Sequence, residues 1–157
     1  MTLDIEEKKA LSRYRLEKAD SLLEDAALLL SNGRWDSSIN RSYYAALHAA
    51  KAVLILFGID PVSHEGVKSM VGKKLILGGF LEKEYGRWFR SLQFQREDVD
   101  YADYVTSEKK DAEEAFNNAS QFIEKMKEVI FRHIHTVPFG CKIWAYPLIE
   151  PFIKRNV

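Results

Sequence analysis

The segment NRSYYAALHAAKAVL, residues 40–54, sets Asn40, Arg41, Tyr43, Tyr44, His48 and Lys51 into a background of alanine, leucine and valine. These side chains can do chemistry. An arginine offers a planar fork of donors suited to phosphate or carboxylate, a histidine titrates near pH 6.5, and a phenol holds its proton to about pH 10. Arg41 and His48 would stand roughly 10 Å apart along a helix. Asn40, Arg41, Tyr44, His48 and Lys51 together offer donors and positive charge on an uncharged background. Such a stripe suits a phosphate or an acidic partner. A second group lies in REDVDYADYV, residues 96–105. Leu81, Tyr85, Trp88 and Leu92 recur at helical spacing, and the next position of that stripe is Arg96, whose charge then points inward. Two roles are open to Arg96: an ion pair with Asp98, Asp100 or Asp103, or a donor in a ligand or RNA cleft beside Tyr101, Asp103 and Tyr104.

Other chemistries lack their residues. His133, His135 and Cys141 are too few and too irregularly spaced for a zinc site, so no metal is expected. Gly78 and Gly79 end a helix and do not open one after a strand, so no phosphate loop and no cofactor is expected. Lys plus Arg and Asp plus Glu number 23 each, so any basic surface must be local. The opening MTLDIEEKKA has no apolar signal core, no apolar run approaches the roughly 20 residues that span a bilayer, and a lone cysteine fits a reducing compartment. The expectation is a cytoplasmic protein with no membrane contact.

The elements that must hold these residues are helices. Apolar residues recur at three and four positions almost throughout, with Gly, Pro, Ser and Thr as punctuation. The pattern predicts a first helix from about Asp4 to Ser31 and a second from an N-cap at Asp36 to just before Gly58. Ser63 should cap a shorter one reaching about Leu77. A fourth should give way to a bend or loop at residues 96–105, and a fifth should start from a Thr106 or Ser107 cap. The fifth buries Ala112, Ala115, Phe116, Ala119, Phe122, Ile123, Met126 and Ile130. The fold class expected is all-α: an antiparallel up-and-down four-helix bundle with an additional short helix, residues 1–135, and an irregular Pro- and aromatic-rich C-terminal extension, residues 136–157. On a wheel the second helix has a core face through Ile39, Tyr43, Leu47, Ala50 and Leu54. A further small-residue face, Ala45, Ala49 and Ala52, lies beside Arg41 and His48 and predicts a homodimer contact.

Three blocks, RSYYAALHAAKAVLILFG, QREDVDYADY and TSEKKDAEEAFNNASQFI, resemble the HEPN domain family across about residues 5–132. The resemblance implies an antiparallel helical bundle, usually dimeric, often encoded beside a minimal nucleotidyltransferase. In its ribonuclease members an Arg followed after four to six residues by His lies near the dimer cleft and cleaves RNA without metal. Arg96 matches that arginine, but Tyr101, Ala102 and Asp103 stand where the histidine would be. In related systems a nucleotidyltransferase modifies a tyrosine near the arginine, which Tyr101 and Tyr104 resemble. Two function classes follow. One is a binding module, without catalysis, that engages a nucleotidyltransferase, a nucleotide or RNA. The other is a metal-independent ribonuclease that has replaced its histidine.

Overall fold

Asp4 starts the first helix, as its position before the apolar period predicts. The structure, a computed structural model, describes residues 2–104 and 106–135. Helix α1 spans Ile5–Ser31. The Asp4 carboxylate accepts the Glu7 backbone N–H while Glu7 accepts the Asp4 N–H, both at 2.8 Å. This reciprocal cap satisfies donors that a helix start leaves open.

Helix α2, Trp35–Leu56, is the central element. Arg34 precedes it as N-cap without a side-chain hydrogen bond, and the Asp36 expected there lies in the first turn. Its Oδ1 instead accepts the Ser107 N–H at 3.2 Å, tying the approach to the last helix onto α2. A helix so rich in alanine can be approached closely. Ser12, Ala19 and Ala26 are the buried residues of α1, each seven apart, and they lie against α2. Ser12 Oγ donates to the Ala52 carbonyl at 2.7 Å, and Ser38 Oγ donates to the Ala26 carbonyl at 2.8 Å. The beginning of each helix is thereby pinned near the end of the other, so α1 and α2 run antiparallel.

The same packing corrects the expected dimer contact. Ala45, Ala49 and Ala52 are 0% exposed within one chain. The face reserved for a second copy is covered by α1. The expectation failed because it assumed a bundle too thin to wrap one helix on every side, whereas α1, α3, α4 and α5 all pack on α2.

Helix α3, His64–Met70, begins at Ser63, whose Oγ accepts the Gly66 N–H at 3.0 Å. It widens into a π-helical turn, Val71–Ile76, closed by Leu77 N–H to Gly72 C=O at 3.0 Å. Gly79, at φ +81°, then reverses the chain, a conformation that costs a side-chain-bearing residue more than glycine.

Helix α4 spans Lys83–Tyr101 and runs five residues past the bend expected at Arg96. Its acidic end opposes the helix dipole, which is why the sequence reads as a loop. Links one turn apart hold it: Gln93 donates to Glu97 at 3.1 Å and Arg96 pairs with Asp100 at 2.8 Å. The chain then turns through Tyr104, which sits at φ +63°.

Helix α5, Lys109–His135, starts two residues after the expected Ser107 cap, and Asp111 accepts the Glu108 N–H at 2.9 Å. Its apolar stripe is buried as read, except that Phe116 is only half-buried and Val129 joins it. Phe89 and Phe122 stack at 5.2 Å between α4 and α5, and Tyr43 of α2 approaches Phe89 at 6.0 Å. All regular structure among the described residues is helical, and no helix there is long and apolar enough to cross a membrane. The extension 136–157, with Cys141, lies outside the described residues. His133 packs on Phe57 at 4.4 Å and His135 on Phe131 at 4.1 Å.

Candidate functional site

Where α2, the start of α3 and the end of α4 meet, their side chains enclose an open cleft of about 770 Å³. Tyr44 comes from α2, His64 and Glu65 from α3, and Gln93, Arg96, Glu97, Asp98 and Tyr101 from α4. Arg96 is its centre. The inward direction read from the stripe of α4 is realised, since only 14% of its side chain is exposed. Its Nη2 donates to the Tyr44 hydroxyl at 3.0 Å, and its Nε stands 2.8 Å from Asp100 Oδ2. That Nε–H is not aligned for a hydrogen bond, so the contact with Asp100 is an ion pair. The guanidinium also lies 6.0, 5.6 and 5.5 Å from the ring centres of Tyr43, Tyr44 and Tyr101, a triple cation–π environment.

Behind Arg96 the Tyr43 hydroxyl meets His64 Nδ1 at 3.1 Å. Burial pushes the Tyr43 phenol well above its ordinary value, with the nearby Arg96 charge opposing the shift. The phenol therefore keeps its proton. Burial, and then Arg96, lower the pKa of His64, which favours a neutral ring. If Tyr43 donates, the neutral ring carries its proton on Nε2 and is a donor there. In the other tautomer Nδ1 donates to Tyr43, and Nε2 is free to act as a base.

The stripe of α2 divides by its partners. Asn40 Nδ2 donates to both oxygens of Asp100, at 3.2 and 3.4 Å, so Asn40 and Tyr44 join the Arg96 cluster. Arg41 is exposed and does not line the cleft. His48 and Lys51 do not line it either. Burial, followed by the charges of Lys18, Lys51 and Arg15, lowers the pKa of His48 to about 4. Its Nδ1 is buried without a hydrogen-bond partner among the described residues. Lys51 stands 3.8 Å from Asp60, which Arg15 binds at 2.9 Å. Tyr101 lines the cleft, whereas Asp103 and Tyr104 are exposed in the turn beyond it.

His64 was missed because it follows a capping serine at the first position of a short helix, where no spacing marks it. Only the break in the chain from Gly58 to Pro61, which brings α3 back against α2, hints that it meets Tyr43. The sign of the cleft was also misjudged. Glu65, Glu97 and Asp98 line it against the single cation Arg96, which Asp100 already pairs. Lys68 binds Glu65 at 2.7 Å, while Glu97 and Asp98 make no ion pair among the described residues. The surface expected to welcome phosphate is electronegative.

These features define a helical module with a partly buried arginine held among tyrosines and carboxylates near the end of its fourth helix. Residues 12–129 match the HEPN domain model, and the chain belongs to the HEPN domain family. A UPF0332 protein of Thermotoga maritima is 29% identical over 124 residues, which cover 79% of this chain and 94% of that protein. A protein of Methanocaldococcus jannaschii named "Putative toxin" is 31% identical over 115 residues, 73% of this chain and 85% of that one. A shorter match, 48% identical over 66 residues, links 42% of the chain to 46% of a UPF0332 protein of Pyrococcus horikoshii.

Proposed function

We propose that this chain is a HEPN-type binding module of a toxin–antitoxin-like pair, built as an antiparallel four-helix arrangement, whose cleft receives a cationic segment of a partner protein. The partner class is the minimal nucleotidyltransferase that accompanies such modules. One observation carries the reading. Arg96 is already engaged by Tyr44 and Asp100, and the carboxylates left facing the cleft, Glu97 and Asp98, pair with no cation among the described residues. Such a wall repels RNA phosphates and attracts lysine or arginine side chains, with Tyr44 and Tyr101 as flanking rings. The test is co-purification and calorimetry with the nucleotidyltransferase encoded nearby. Asp98→Lys should abolish binding and leave the melting temperature within about 2 °C, because it alters a surface group. Undiminished binding by that variant would refute the reading.

A second reading, a metal-independent ribonuclease, is favoured by one observation: although no histidine follows Arg96 at the family's spacing, His64 on α3 lines the same cleft. In the tautomer that frees Nε2, His64 would take the 2′-hydroxyl proton while Arg96 faces the phosphate. RNA cleavage by the purified protein, lost in His64→Ala and in Arg96→Ala, would establish it over the binding module. No cleavage by the unmodified protein at neutral pH is the outcome expected here.

A further inference from the structure

A second hollow, of about 430 Å³, lies between the π-helical turn Val71–Ile76 and the first half of α4, and it shares no lining residue with the cleft. Its size is that of a small-molecule site, roughly 300–1,000 Å³. π-Helical turns are rare and recur at functional sites. Four cations line the hollow: Lys68 from α3, and Lys83, Arg87 and Arg90 from α4. Lys68 is bound to Glu65 at 2.7 Å. Lys83, Arg87 and Arg90 are exposed and make no ion pair among the described residues, although Lys68 and, more weakly, Arg90 both act on Glu65. The rest of the lining is apolar. Half-buried Ile76 joins the buried Val71 and Phe89, while Gly72 and Gly86 leave bare backbone where side chains would narrow the space. A Cβ at Gly72 would meet nothing within 4 Å.

We infer that this hollow binds a small anionic amphiphile: a phosphate head held by Lys83, Arg87 and Arg90, and a short apolar body against Ile76 and the aliphatic stems of the cations. The lining chooses the body. None of its side chains carries a hydrogen-bond acceptor, so a ribose, a sugar or the edge of a base would leave its donors unanswered there, whereas an alkyl or acyl chain has none. The charges choose the size. Lys83 to Arg90 covers about 10 Å of helix. Glu82 and Glu84 flank Lys83, and Glu97 and Asp98 follow Arg90 by about two turns, so a nucleic-acid strand laid along α4 would run from cations onto carboxylates at either end. Three unpaired cations suit a head of two charges better than a single carboxylate. The hollow supplies the positive surface that the arginine cleft does not, and it stands whether or not that cleft receives a partner protein.

The experiment is calorimetry with hexyl phosphate, inorganic phosphate and ATP at about 0.15 M salt, where exposed charges alone are largely screened. The proteins are the unmodified chain, R87E, R90E and G72L. Hexyl phosphate should bind the unmodified chain at least roughly tenfold more tightly than inorganic phosphate, because its alkyl chain adds apolar burial, and more tightly than ATP. R87E and R90E should each weaken hexyl phosphate at least roughly tenfold, as should G72L, which adds a side chain to the lining. Thermal melts report folding separately. If G72L melts early, the comparison of hexyl phosphate with inorganic phosphate carries the apolar half of the test alone. Vesicles of phosphatidylglycerol distinguish the source of the ligand: co-sedimentation that R87E abolishes assigns the head to a membrane lipid, and its absence assigns it to a free phosphate. No binding of hexyl phosphate at millimolar concentration overturns the inference. So do equal binding of hexyl phosphate and inorganic phosphate, undiminished binding by R87E and R90E, or tighter binding of ATP or of an RNA oligonucleotide than of hexyl phosphate.

Discussion

Replacing Arg96 by alanine removes one side chain and strands several others. Tyr44 loses the donor at 3.0 Å, Asp100 loses the cation at 2.8 Å, and three tyrosine rings lose the charge that faces them. A hydrogen bond to a charged group contributes about 1.5–3 kcal/mol, and each cation–π contact about 0.5–1 kcal/mol. These do not add in full. Asp100 is 28% exposed, so water recovers part of the loss, and the Tyr44 hydroxyl opens onto the cleft. A net cost of about 2–3 kcal/mol follows, which for a domain of this size lowers the melting temperature by roughly 6–10 °C. Tyr44→Phe alone should cost about 1 kcal/mol, and far less once Arg96 is already absent. Thermal melts followed by circular dichroism on both single variants and the double read the magnitude and the coupling together. An Arg96→Ala protein that melts within about 2 °C of the unmodified one would refute the reasoning, because the cluster would then be solvent-screened.

Further outcomes follow from other residues. The folded pKa of His48, about 4, is below its unfolded 6.5, so its contribution is complete above pH 6.5 and is lost as pH falls from 6.5 towards 4. His48→Gln should flatten that acid-side decline by roughly 1–2 kcal/mol after allowance for partial exposure, as measured by melts across this window. Part of the slope should remain through His64 and His133, whose pKa values burial also lowers. Ala49→Glu places a carboxylate inside the α1–α2 contact and should cost at least about 3 kcal/mol or prevent folding, in contrast to a clean change of oligomeric state. A soluble, normally melting Ala49→Glu protein would contradict the burial of that face. A Cβ at Gly86 would meet only the far end of the half-buried Ile76 side chain, which can swing aside, so Gly86→Ala should be close to neutral or stabilise α4 by up to about 1 kcal/mol. A loss of more than about 1 kcal/mol in denaturant melts would contradict this by showing Ile76 to be locked in place.

Legibility in the sequence followed the range of the forces involved. The start of α1 near Asp4, the Ser63 cap and most of the buried stripe of α5 depend on neighbours within a turn or two, and the residues announce them. The end of α4 was misread because local rules set an acidic C-terminus against the helix dipole. The Arg96–Asp100 pair and Asn40, which reaches Asp100 from α2, outweigh that penalty. The inward direction of Arg96 was legible from periodicity, and its partner Asp100 was among those anticipated. His64 and the acidic wall were not, since they depend on where α3 folds back. The alanine face shows the same limit from the other side: small residues signal a close contact but do not say whether the neighbour is the same chain or another.

The wrapping of α2 on every side has a consequence for how the chain is made. Its first cover, α1, precedes it and is present as soon as α2 emerges from the ribosome. The α5 cover comes last, after α3, the π turn and α4 have all been synthesised. Until then the part of α2 that packs on α5 is bare, and the nascent chain holds one oily flank open to chaperones and to its siblings on the same message. Once α5 closes, the backbone amides of α2 should be the slowest in the molecule to exchange with deuterium, because exposing them requires global unfolding.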